Sequence, residues 1–188
     1  YGLSGEEWIV DLVPGEYTAV LSLTDFPKEK SSSATITVRS TFADLNTTIN
    51  GNNNSTIYLS NNDYFKFDID SDVELINGII INRDLTIYGN GTTINGDAIT
   101  RIFKVEDNVN VKFYNINFIN GKAVDGGAIY GNGYTVIDCI FINNTACNGG
   151  ATYQITANNC QFANNNASEN GGAMYGGIVV GSNFTCNH

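Results

Sequence analysis

Between Trp8 and Leu23 apolar residues recur at every second position on both sides of a Pro14-Gly15 turn, and Ala34-Thr-Ile36-Thr-Val38 repeats the rhythm beyond a loop at 27–33. That period predicts three short antiparallel strands. At Thr41 the period changes. Phe42, Leu45 and Ile49 fall on one helical face, Thr41 with Asp44 three residues on forms a capping box, and Gly51 suits a C-terminal cap. A helix over 41–50 is too short to stand alone and is expected to cover the open end of whatever follows. From Ile57 the period is two again: Phe65, Phe67, Ile69, Val73 and Leu75 alternate with Lys66, Asp68, Asp70, Asp72 and Glu74, which predicts a half-buried strand with its acids facing water. Ile79-Ile-Ile81 and the stretch 85–96 continue as short strands cut by Asn and Gly.

The last third repeats itself. Phe118-Ile-Asn120, Phe141-Ile-Asn143, Phe162-Ala-Asn164 and Phe184-Thr-Cys186 start 23, 21 and 22 residues apart, and Gly126-Gly-Ala-Ile-Tyr130, Gly149-Gly-Ala-Thr-Tyr153 and Gly171-Gly-Ala-Met-Tyr175 follow at 23 and 22. Short strands at a period near 22 predict an all-β fold, a right-handed parallel β-helix in which equal positions stack about 4.8 Å apart. Phe118, Phe141, Phe162 and Phe184 are then one interior aromatic stack and Tyr130, Tyr153 and Tyr175 another, with Ile116, Cys139, Cys160 and Ser182 filling the same core. Asn120, Asn143 and Asn164 are expected to form an amide ladder at a turn, and the paired glycines to supply positive φ and close approach at a corner.

Two resemblances rest on these residues. Residues 1–39, through Leu12-Val-Pro-Gly-Glu-Tyr17-Thr and the strand after it, resemble the last strands of an immunoglobulin-like domain of surface proteins. Residues 40–188 resemble the right-handed parallel β-helix of methanogen adhesin-like surface proteins, and their GGA and FxxN units resemble polymorphic outer-membrane repeats. The matching residues are the Thr41 to Ile49 lead-in, the stretch 78–97, Arg101-Ile-Phe103, the three GGA units, and Phe141-Ile-Asn-Asn144 and Phe162-Ala-Asn-Asn165; Phe118-Ile-Asn-Gly121 departs at its last place. The resemblance implies an extracellular or cell-surface adhesin-like stalk that attaches to other cells, glycans or surface polymers. A structural subunit self-assembling through the strands of 8–38 is the alternative, and a polysaccharide lyase or hydrolase of the pectin-lyase-like type a second one. A chain opening at Tyr1 inside a strand reads as a piece of a longer protein.

Composition narrows the partners. Nine Lys and Arg against 19 Asp and Glu give a net charge of −10, which leaves no basic patch for nucleic acid, and no apolar run approaches a membrane span. Asparagine is absent from residues 1–45 but occurs 28 times in 46–188, so two designs are joined. Asn46, Asn53, Asn54, Asn90, Asn143, Asn166 and Asn183 head glycosylation sequons, and Asn143 also belongs to the expected ladder. Asp68, Asp70 and Asp72 imitate the start of a calcium loop, but the places for its Gly and Glu hold Val73 and Ile79, so no metal is expected. No cofactor is expected either. Asp125, Asp138 and Glu169 fall at different repeat positions and make no catalytic pair, and the only His is His188. Cys139, Cys147, Cys160 and Cys186 are read as four thiols, because stacked side chains run parallel instead of facing each other.

Overall fold

The computed structural model describes residues 15–23, 30–38, 40–61 and 63–188. The chain forms two compact units, 1–39 and 40–188. In the first, Gly15–Leu23 pairs antiparallel with Lys30–Val38, so the second strand starts inside the stretch expected to be a loop. The strand expected at 8–13 lies outside the described residues.

The second unit is a parallel β-solenoid of about six turns. Its strands form three faces. On the first, Ile57, Ile87, Phe113, Val136, Ala157 and Val179 are in register. On the second the in-register column is Phe65, Ile94, Phe118, Phe141, Phe162 and Phe184. On the third it is Ile79, Phe103, Ile129, Thr152 and Met174. Most of these side chains are buried and form the core, while in the last coil Met174 is half-buried and Val179 and Phe184 are exposed. Phe118, Phe141, Phe162 and Phe184 stack at centroid spacings of 4.9, 4.8 and 4.7 Å with planes within 17° of parallel, as the repeat predicts, but only the first three are interior: Phe184, which has no further ring stacked beyond it among the described residues, is 45% exposed. Ile116, Cys139 and Cys160 are buried beside them, whereas Ser182, expected in the same core, is half-buried and its hydroxyl accepts from Cys160 N–H at 2.9 Å. Tyr134 is buried as well, its hydroxyl donating to the Ile129 carbonyl at 2.9 Å.

Two columns of left-handed residues turn the coil. Asn90, Asn115, Asp138 and Asn159 (φ 50 to 54°) mark one corner, and Asn120, Asn143, Asn164 and Cys186 (φ 51 to 56°) mark the next. Asparagine tolerates that conformation better than most non-glycine residues, which accounts for six of the 28 asparagines. The amide ladder therefore runs one residue later than expected. Asn143 and Asn164 point out to solvent, while Asn144 and Asn165 turn inward and are fully buried. Asn144 Nδ2 donates to Phe118 O (3.1 Å) and Asn165 Oδ1 (2.9 Å), and Asn165 Nδ2 donates to Phe141 O (3.0 Å) and Asn187 Oδ1 (2.9 Å). Gly121, at the matching place one coil lower, ends the ladder by donating its N–H to Asn144 Oδ1 at 2.7 Å. Asn120 bonds separately to Asn95 Oδ1 at 3.1 Å.

The glycine pairs divide their labour. Gly126, Gly149 and Gly171 take positive φ, whereas a Cβ on Gly127 or Gly150 would collide with the glycine carbonyl of the next coil.

The helix Phe42–Asn50 forms as expected, with both halves of the Thr41–Asp44 capping box in place and Phe42, Leu45 and Ile49 closing the core. The run 65–75, by contrast, is a strand only over Tyr64–Lys66 and ends in a 3₁₀ turn at Val73–Leu75. Ile69 and Val73 are exposed, and Asp72 is buried instead of facing water. The tight turn breaks the alternation and delivers the Asp72 carboxylate to the helix N-terminus, where it accepts from the N–H groups of Phe42 (3.1 Å) and Ala43 (2.8 Å) and from Asp68 N–H (2.8 Å). At the other end, Arg83 donates to the carbonyls of Ile49 (2.7 Å) and Asn54 (3.2 Å) and to Asn50 Oδ1 (3.1 Å). Both charges complement the helix dipole.

Two stability predictions follow from the packing. Asn165→Ala removes four side-chain hydrogen bonds from the buried ladder and is expected to cost about 3 kcal/mol or more, whereas Asn164→Gly changes stability by less than about 1 kcal/mol. Reversible denaturant unfolding of the two variants checks this, and equal effects would refute the placement of the ladder. The Thr152 hydroxyl is buried with no hydrogen-bond partner, so Thr152→Val should raise stability by about 1 kcal/mol and Tm by about 2–4 °C in calorimetry.

Candidate functional site

Strand alternation decides which chemistry reaches solvent. Ile129, Thr152 and Met174 point inward, so their neighbours Tyr130, Tyr153 and Tyr175 point outward, with centroids 5.3 and 4.9 Å apart. They are half-buried to exposed, not a second interior stack. A second external ladder, unmarked by the short repeat, joins Tyr58, Tyr88 and Tyr114 at 5.0 and 4.7 Å on the first face. Its signal in the sequence was an apolar-Tyr pair at 57–58, 87–88 and 113–114, at spacings too irregular to align by eye. Rings stacked this way cover one another's faces, leaving edges and hydroxyls for a ligand.

Arg101 ends the third-face ladder. Its guanidinium lies 5.0 Å from the Tyr130 ring centre and donates from Nε to Gly126 O (3.2 Å) and from Nη2 to Asp125 O (2.7 Å). Burial lowers its pKa from the ordinary value, yet it stays charged at neutral pH. The carboxylates considered for catalysis remain apart. Asp125 heads a row in which Asn148 Nδ2 donates to Asp125 Oδ1 and Asn170 Nδ2 to Asn148 Oδ1, both at 2.9 Å. Asp138 occupies a left-handed turn and Glu169 an exposed strand position; His188 is exposed.

Asp68, Asp70 and Asp72 do not converge. Asp72 caps the helix, Asp68 Oδ1 accepts from Asp70 N–H at 3.0 Å, and no group of three potential metal ligands occurs among the described residues. Of the sequon asparagines, Asn53, Asn54, Asn90, Asn143, Asn166 and Asn183 are exposed and Asn46 is half-buried. Asn90 commits its amide to Leu59 O at 2.9 Å, while Asn143, being off the ladder, does not spend its amide there.

All four cysteines are free. Burial pushes the Cys139 thiol well above its ordinary range, and its sulfur lies 3.3 Å from the Ile137 carbonyl. No family model, curated protein or solved structure matches the chain.

Thiol chemistry gives a direct check. Because the thiolate is the reactive form, native alkylation should modify exposed Cys186 first and half-buried Cys147 next, with Cys139 and Cys160 reacting only on unfolding. Intact mass should count four adducts without reductant; fewer would mean a disulfide.

Proposed function

We propose that the chain is an adhesin-like segment of a secreted or cell-surface protein: a stiff β-helical stalk whose outward faces meet other cells, glycans or surface polymers. The observation that carries this reading is unbroken register. The second-face column runs in step from Phe65 to Phe184, so outward residues form fixed rows about 4.8 Å apart, a spacing suited to a repetitive partner. The external tyrosine ladders favour display over pure scaffolding, because each keeps a polar hydroxyl at the surface on a rigid aromatic support. Exposed sequon asparagines fit an extracellular setting. Against a head-to-tail filament stands the helix Phe42–Asn50, which covers the core at one end of the solenoid.

The test is attachment of the full chain, immobilised on beads, to cells and to a glycan array. Saturable binding is expected, with Tyr88→Ser/Tyr114→Ser weakening it about tenfold or more while circular dichroism stays unchanged. Absence of saturable attachment, together with growth of polymers in light scattering, would replace this reading with the structural-subunit one.

A further inference from the structure

Three segments far apart in sequence, each from the corner between the second and third faces, enclose a cleft of about 450 Å³. Ile76 and Asn77 come from the first coil, Ile99 and Arg101 from the second, and Lys122 and Val124 from the third. The volume falls in the roughly 300–1,000 Å³ range of small-molecule sites.

Its walls are unusual for this molecule. The chain carries a net charge of −10, yet the cleft is lined by two of its nine cations and by no carboxylate. Arg101 is held by the two backbone carbonyls and the Tyr130 ring, so its orientation is set before any ligand arrives, and the bonds to Asp125 O and Gly126 O use two of its five N–H groups. Lys122 is exposed and makes no ion pair or side-chain hydrogen bond among the described residues. The Asp125 side chain, which acts on Arg101 through its charge, is engaged by Asn148, whose Nδ2 donates to Asp125 Oδ1 at 2.9 Å. In the same cleft Ile76, Ile99 and Val124 are 39%, 41% and 67% exposed, apolar surface that the core does not use.

We propose that this cleft binds a small carboxylate ligand with an apolar flank. The carboxylate is held between the Arg101 fork and the Lys122 ammonium, and the flank lies on Ile76, Ile99 and Val124. Two sources share this chemistry, a sugar acid and a free branched aliphatic acid. The site does not depend on the adhesion reading.

Methyl and amide NMR titrations of the full chain with glucuronate and with 3-methylbutanoate test it, alongside the uncharged counterparts glucose and 3-methylbutan-1-ol. Saturable shifts confined to Ile76, Ile99, Val124 and Lys122 are expected for at least one acid, and which acid responds identifies the source. Lys122→Gln should weaken binding about fivefold, as should raising salt, while Lys112→Gln on another face should not. The proposal is overturned if neither acid saturates, if the uncharged counterparts bind equally, or if Lys122→Gln has no effect. Response to an acidic peptide with silence toward both acids would overturn it in favour of a protein partner. Loss of cell attachment with acid binding intact would count against the adhesion reading alone.

Discussion

Everything in the solenoid depends on equal positions of successive coils lying directly above one another. The buried amide ladder is the most demanding expression of that constraint. Asn144 and Asn165 each reach the backbone of the coil below and the side chain of the coil above, and a slip of one residue would strand both in an apolar core. Unpaired buried amides are costly enough to reject such slips. The phenylalanine stack adds contact area and tolerates small displacements; the amides supply direction. Together they explain how strands of three residues, each negligible alone, make a continuous sheet.

The ends of a solenoid pose a separate problem, since a stacked core has no intrinsic boundary. The helix Phe42–Asn50 closes one end by burying its whole apolar stripe, and two buried or half-buried charges hold it by its termini. Asp72 meets the orphan N–H groups and Arg83 the orphan carbonyls, so the lid is anchored by hydrogen bonds with a defined orientation as well as by hydrophobic contact. A lid attached this way belongs to the coil from which both charges come.

On the outside, the same register turns single side chains into rows. Tyrosines, asparagines and threonines recur at the rise of the coil, and the cations Arg101 and Lys122, 21 residues apart, become neighbours across one cleft. The candidate site was legible only in fragments. The individual tyrosines and cations stand out in a chain poor in both Arg and Lys, but their grouping depends on coils of unequal length, with the first-face column advancing by 30 residues from Ile57 to Ile87 and by 21 from Val136 to Ala157. Where spacing was even, as from Phe118 onward, the stack could be read directly.

The sequence by itself determined the period, the identity of the core phenylalanines, the short capping helix with its box at Thr41 and Asp44, and the separation of 1–39 from the asparagine-rich remainder. Tertiary structure decided which of two adjacent asparagines enters the core, which way Tyr130, Tyr153 and Tyr175 face, and that Asp72 serves a helix thirty residues earlier. The physical reason is parity. Alternation assigns inside and outside within a strand, but each left-handed corner residue resets the count, and only the folded backbone shows where those corners fall.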